Sequence, residues 1–121
     1  MKKKVLVIDD EADIREIVRL YLADEGCAVI EAGNGQEGIL KAQTEQPDLI
    51  ILDIMLPGIN GFEVCRKIKT GETTHDTIVV AMTARPSSEV EQASLEAGAS
   101  AYLPKPIKSE ELVRLLTSLL Q

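Results

Sequence analysis

The chain is poor in histidine and cysteine, has no long apolar run and carries no excess of positive charge. Each shortage removes a class of function. His75 is the only histidine, so a metal site built from histidines is excluded, and its polar surroundings predict an exposed loop. The two cysteines, Cys27 and Cys65, stand far apart and match neither a CxxC motif nor zinc spacing. They read as small buried apolar residues in a reducing compartment. No apolar stretch approaches the ~20 residues that a membrane span needs. Met1-Lys2-Lys3-Lys4 is followed by only four strongly apolar residues before Asp9-Asp10, too few for a signal-peptide core. The expectation is a cytoplasmic protein with no membrane association. A net charge of −7 argues against direct nucleic-acid binding by this domain, because such binding rests on basic patches.

What is present fits one domain over residues 1–121, with 45% hydrophobic and 27% charged residues, enough for a real core. No repeat, linker or low-complexity tract is visible. Val5-Ile8, Ala28-Ile30, Leu49-Leu52 and Ile78-Met82 read as buried strands, and Tyr102-Leu103 as a weaker fifth. Helical patterns lie between them. Ile14, Ile17, Val18, Tyr21 and Leu22 share one helical face, Phe62, Cys65 and Ile68 form a short stripe, and Leu112, Leu115, Leu116 and Leu119 form another. Asn34 with Glu37, and Ser88 with Glu91, resemble helix-starting boxes. Five β-α units with strands apolar on both faces predict an α/β fold, a doubly wound parallel sheet covered on both sides.

The polar residues gather after the strands. The first strand ends in Asp9-Asp10, the third in Asp53 and the fourth in Thr83, and the fifth is followed by Lys105-Pro106. Open α/β sheets bind ligands outside the carboxyl ends of their strands, where the strand order reverses. If the first and third strands flank that reversal, Asp9, Asp10 and Asp53 share one crevice. Three carboxylates together raise each other's pKa unless a cation compensates, and Mg2+ suits a site with few protein ligands and several waters. Asp53 is a possible nucleophile that forms an acyl phosphate. Lys105 would supply an ammonium group and Thr83 a hydroxyl for the phosphoryl oxygens. Each residue alone has a structural alternative, as a helix cap, a strand end or a solvated loop charge. Their joint occurrence at separate strand ends favours a site.

The segments Val5-Leu6-Val7-Ile8-Asp9-Asp10-Glu11, Pro47 through Gly58, Asn60-Gly61, Thr83-Ala84, Gly98-Ala99 and Tyr102-Leu103-Pro104-Lys105-Pro106 carry a resemblance to the receiver domains of response regulators, CheY-like proteins of two-component signal transduction. It covers essentially the whole chain. The resemblance implies a flavodoxin-like fold with five strands in the order 2-1-3-4-5. It implies that Asp53 takes a phosphoryl group from a sensor histidine kinase or phosphotransfer protein. It implies Mg2+ bound by Asp10, Asp53 and the backbone carbonyl of Met55, with Asp9 acting largely through water. Thr83 and Lys105 would hold the phosphoryl oxygens, and the Lys105–Pro106 bond would be cis. Thr83 and Tyr102 would report phosphorylation to a downstream protein target through the face of the fourth helix, fifth strand and fifth helix.

Other positions refine the expectation. Met55 cannot orient water and Arg85 could cover the phosphoryl group, which predicts slow self-dephosphorylation. Val113, Leu120 and Leu95 are candidates for an apolar partner patch on the switching face. One large subfamily of DNA-binding regulators dimerises there through acids before the aromatic and an arginine in the last helix. Ser100, Ala101 and Leu115 stand at those positions, so a monomer or weak dimer is expected. A phosphatase of the haloacid-dehalogenase type would want a second Asp where Met55 stands. A flavodoxin would want a hydroxyl- and glycine-rich loop where Asp9-Asp10-Glu11 would repel phosphate. A degenerate receiver acting only as an interaction module is disfavoured because all the chemical positions are filled.

Overall fold

The computed structural model describes residues 2–120. Strands β1 (Lys4–Ile8), β2 (Ala28–Ala32), β3 (Leu49–Asp53), β4 (Ile78–Thr83) and β5 (Ala101–Pro104) alternate with helices α1 (Ala12–Ala23), α2 (Gly35–Glu45), α3 (Gly61–Thr70), α4 (Ser88–Glu96) and α5 (Ser109–Leu119). The strands form one parallel sheet in the order β2-β1-β3-β4-β5. This is the doubly wound, flavodoxin-like arrangement expected, and the order reverses between β1 and β3.

Side chains alternate across a strand, and both faces of this sheet are apolar. Leu6, Ile8, Ile50 and Leu52 face Ala42 of α2 and Val64, Cys65 and Ile68 of α3. Val5, Val7, Leu49, Ile51, Val80 and Met82 face Val18 and Leu22 of α1 and Leu112 and Leu116 of α5. Helices on both faces leave little of the central strands exposed. The exits of β1 and β3 then become the one place where polar side chains can collect on the sheet axis.

Helix starts are set locally. Asn34 Oδ1 accepts from Glu37 N at 2.8 Å, and Glu37 Oε1 accepts from Gly33 N at 2.6 Å. Asn60 Oδ1 accepts from Glu63 N at 3.0 Å. The cap of α4 is Ser87, whose Oγ accepts from Val90 N at 3.0 Å. The expected box at Ser88 is therefore displaced by one residue. Two adjacent serines offer the same hydroxyl, and the extended backbone at position 87 decides between them.

Two further expectations change in the folded chain. Cys65 is buried, and burial pushes its thiol up to about 11, but Cys27 is only half-buried. Val113 and Leu120 do not meet Leu95 in one patch. They line a groove of about 260 Å³ with Leu22, Cys27 and Leu116, because positions 113, 116, 117 and 120 form a helical stripe facing α1. Leu95 is exposed on α4, against the opposite layer. His75 is exposed, as predicted, with Nδ1 2.9 Å from Gly71 O.

The turn after β3 depends on a close backbone approach. Ile54 N donates to Met82 O at 2.9 Å, and Gly61 N donates back to Ile54 O at 3.0 Å. A Cβ on Gly61 would lie 2.6 Å from Asp53 O and press on the Ile54 backbone, and neither can move aside as a side-chain tip would. Gly61→Ala is expected to lower unfolding free energy by about 2 kcal/mol, as overpacking of a tight site does. A urea midpoint equal to that of the wild type would show that the turn has slack.

Candidate functional site

At the β1 exit, Asp9 is fully buried. Its Oδ1 accepts from Glu11 N at 2.8 Å, which turns the chain into α1. At the β3 exit, Asp53 is almost as buried, and its Oδ1 accepts from Met55 N at 2.9 Å. Asp10 is exposed at the mouth of the crevice. One carboxylate oxygen from each of the three lies within 4.8 Å of the others. They meet because β1 and β3 are neighbours in register, Ile8 beside Leu52, so the next residue of each strand leaves the sheet at the same level.

Lys105 arrives from the other side of the sheet axis. Its backbone N donates to Thr83 O at 2.7 Å, and the Lys105–Pro106 peptide is cis. Nζ lies 2.7 Å from Asp9 Oδ2 and 3.1 Å from Asp53 Oδ2, and 3.9 Å from the exposed Glu11 carboxylate. Burial pulls the ammonium pKa down, but Asp9 and Asp53 outweigh it and hold Lys105 above its ordinary 10.5. Asp9 shows the opposite balance. Burial pushes its carboxyl above the ordinary 3.8, Lys105 and the Glu11 N–H oppose that, and the Asp53 charge adds to it. One ammonium contacts three acids, with Asp10 beside them.

Thr83 is buried at the end of β4, and its Oγ1 accepts from Arg85 N at 3.0 Å. Its own hydroxyl proton remains to be donated. Tyr102 on β5 is half-buried, and its hydroxyl accepts from Ser87 N at 3.1 Å, so the ring ties β5 to the start of α4. Met55 and Arg85 are both exposed. The structure thus gathers Asp9, Asp10, Asp53 and Lys105 directly, places Thr83 on the adjacent strand end, and sets Tyr102 outside the crevice.

The donor set suits a hard divalent cation. Every candidate ligand is an oxygen. Asp9 Oδ2 is buried and meets the Lys105 ammonium at 2.7 Å, and a carboxylate oxygen has more than one lone pair, so acceptor capacity remains at the heart of the cluster. Arg15 stands behind the site, where its Nη1 donates to Asp9 O at 2.6 Å. Its only sequence signal is its position one turn into α1.

Residues 5–117 match the family of response regulator receiver domains. The chain belongs to that family. It is therefore a receiver domain of two-component signal transduction. It is 41% identical over 118 residues to the transcriptional regulatory protein ResD of Bacillus subtilis, covering 98% of this chain and 48% of ResD. The receiver spans about half the length of the curated relatives it matches. In structure it is similar to the chemotaxis protein CheY4 of Vibrio cholerae, with a TM-score of 0.92, 33% identity and coverage of 98% and 99% of the two chains. It is also similar to the receiver domain of the sensor histidine kinase PA1611 of Pseudomonas aeruginosa, with a TM-score of 0.90, 26% identity and coverage of 99% and 98%. That structure has a magnesium ion coordinated in its active site cleft.

The receiver's acids are crowded around one ammonium. Asp10→Asn removes the exposed member, which has no ion pair among the described residues, and is expected to stabilise the fold by on the order of 1 kcal/mol in EDTA. The gain should shrink or reverse in saturating Mg2+, which stabilises the protein that binds it. Thermal unfolding in the two buffers measures this. Equal midpoints in EDTA would show that the carboxylates do not repel.

Proposed function

We propose that Asp53 is the phosphoacceptor of this receiver. The observation that carries the reading is the Lys105 ammonium held between Asp9 and Asp53, 2.7 and 3.1 Å away, beside the oxygen cluster with Asp10. A carboxylate oxygen of Asp53 attacks the phosphorus of a phosphohistidine. The P–O bond forms as the P–N bond breaks, and the departing imidazole keeps the bonding electrons and is protonated from solvent. Asp53 is oriented by Lys105 Nζ and Met55 N.

Lys105 then transfers its charge from the carboxylate to a phosphoryl oxygen, while the free proton of Thr83 serves another. Asp10, Asp53 and the Met55 carbonyl would hold Mg2+, with Asp9 acting largely through water. The ion's role there is to neutralise the carboxylates and the phosphoryl oxygens.

Drawing Thr83 inward frees space beside β5, and Tyr102 leaves Ser87 N to enter it. This loosens the tie between β5 and α4. The modification acts by favouring one of two arrangements of the α4-β5-α5 face, which a downstream protein target distinguishes. The donor is a sensor histidine kinase or phosphotransfer protein. The setting is cytoplasmic, the domain is a monomer or weak dimer, and it does not bind nucleic acid itself. No helix among the described residues is long and apolar enough to cross a membrane.

Incubation with a small phosphodonor and Mg2+, followed by mass spectrometry, is expected to show one added phosphoryl group that is absent in Asp53→Asn. Retention of the adduct in that variant would move the acceptor elsewhere. Turnover of unrelated phosphate esters would favour a phosphatase. The lifetime of the adduct follows from Met55 and Arg85, which flank the approach of water. Met55 offers no group to orient a nucleophilic water, and Arg85 covers the phosphoryl group. Met55→Asn is expected to shorten the lifetime several-fold, because the amide can orient the attacking water. An unchanged decay rate would remove Met55 from the account.

A further inference from the structure

The site rests on a support that lies behind it, on α1 and the edge strand β2. Arg15 Nη1 donates to the backbone oxygen of Asp9 at 2.6 Å, while its Nε donates to Glu31 Oε1 at 3.0 Å. Glu31 is in turn gripped on its other oxygen by Arg19, with Nε at 3.0 Å. The Arg15 side chain is only 18% exposed, so its guanidinium is committed to these two partners. Asp9 N donates to Ala32 O at 3.1 Å, tying the same residue to β2.

What Arg15 holds is a peptide plane. The oxygen of Asp9 and the nitrogen of Asp10 belong to one rigid unit, so pinning the first orients the second. Asp10 needs this. Its carboxylate has no hydrogen bond or ion pair among the described residues, whereas Asp9 is held by Glu11 N and Lys105, and Asp53 by Met55 N and Lys105. The direction of the exposed carboxylate is therefore set by backbone alone, and that backbone is fixed by the Asp9 Oδ1–Glu11 N bond on one side and by Arg15 on the other.

We propose that Arg15 is a positioning residue that aims Asp10 as a metal ligand, with Glu31 holding Arg15 in place. This rests on the reading that Asp10 and Asp53 bind Mg2+. Two effects of removing Arg15 have opposite signs. Loss of a nearby positive charge alone tightens the binding of a cation. Loss of orientation weakens it, and outer partners of metal ligands typically contribute 10–100-fold to affinity.

Titration calorimetry with Mg2+ alone on the unphosphorylated domain separates them. Arg15→Gln is expected to weaken Mg2+ binding about tenfold. Arg19→Gln, which removes a charge from the same network without touching Asp9, is expected to leave binding equal or slightly tighter. Glu31→Gln frees Arg15 from its anchor and is expected to fall between, which keeps the idea testable should Arg15→Gln fail to fold. Affinity in Arg15→Gln equal to or tighter than wild type would overturn the positioning role, as would equal weakening by Arg19→Gln. Asp10→Asn reports on the underlying reading separately: if it binds Mg2+ as tightly as the wild type, Asp10 is not a ligand and the proposal falls with that reading.

Discussion

The interaction on which the site depends is the ammonium of Lys105 lodged between the carboxylates of Asp9 and Asp53. Two buried acids at neighbouring strand ends would repel each other. Burial alone pushes Asp9 toward its neutral form and Lys105 toward losing its proton. The contacts reverse the balance for Lys105. A cluster held this way is anionic, oxygen-rich and only partly neutralised, a donor set compatible with a divalent cation. Breaking the cluster from the lysine side leaves uncompensated charge in the protein, whereas thinning it from the exposed side relieves repulsion.

The fold exists, from the site's point of view, to bring those groups together and to hold them at low cost in motion. Parallel strands bury the sheet on both faces, and the register of β1 with β3 brings their exits level. Glycine at position 61 allows α3 to close on the β3 exit. Lys105 is delivered by a backbone bond from its own N to Thr83 O, so the residue that neutralises the acids and the residue that offers a hydroxyl are mechanically joined. Tyr102, on the same short strand, is joined to the start of α4 through Ser87 N. A change at the crevice therefore has a short physical path to the α4-β5-α5 face. α4 is suited to respond, because its one fully buried residue is a serine, Ser94, bonded back to Val90 O, and not a large apolar anchor.

Much of this was legible in the chain itself, for identifiable reasons. Strands apolar on both faces betray a covered parallel sheet, so the order of elements and the five strand positions could be read directly. Asp9, Asp10, Asp53, Thr83 and Lys105 stood out because polar residues follow apolar runs abruptly. Other features have no unique local code. Ser87 and Ser88 are chemically equal as caps until the backbone is known. Val113 and Leu120 are apolar on any helical wheel, and only packing against α1 tells that they face Leu22 and Cys27. Arg15 was silent, since an arginine one turn into a helix is ordinary until its guanidinium is seen on the oxygen of Asp9.

The sequence by itself determined the hydrophobic periods, the strand ends and the inventory of acids, amine and hydroxyl, because these depend on residue type and spacing along one chain. The tertiary structure decided which of them share a crevice, which oxygen of Asp9 meets the ammonium, and which arginine stands behind the site. Those are distances between residues as far apart as Asp53 and Lys105 or Arg15 and Glu31. They arise only when parallel pairing sets the strands in register and brings the helices down on both faces.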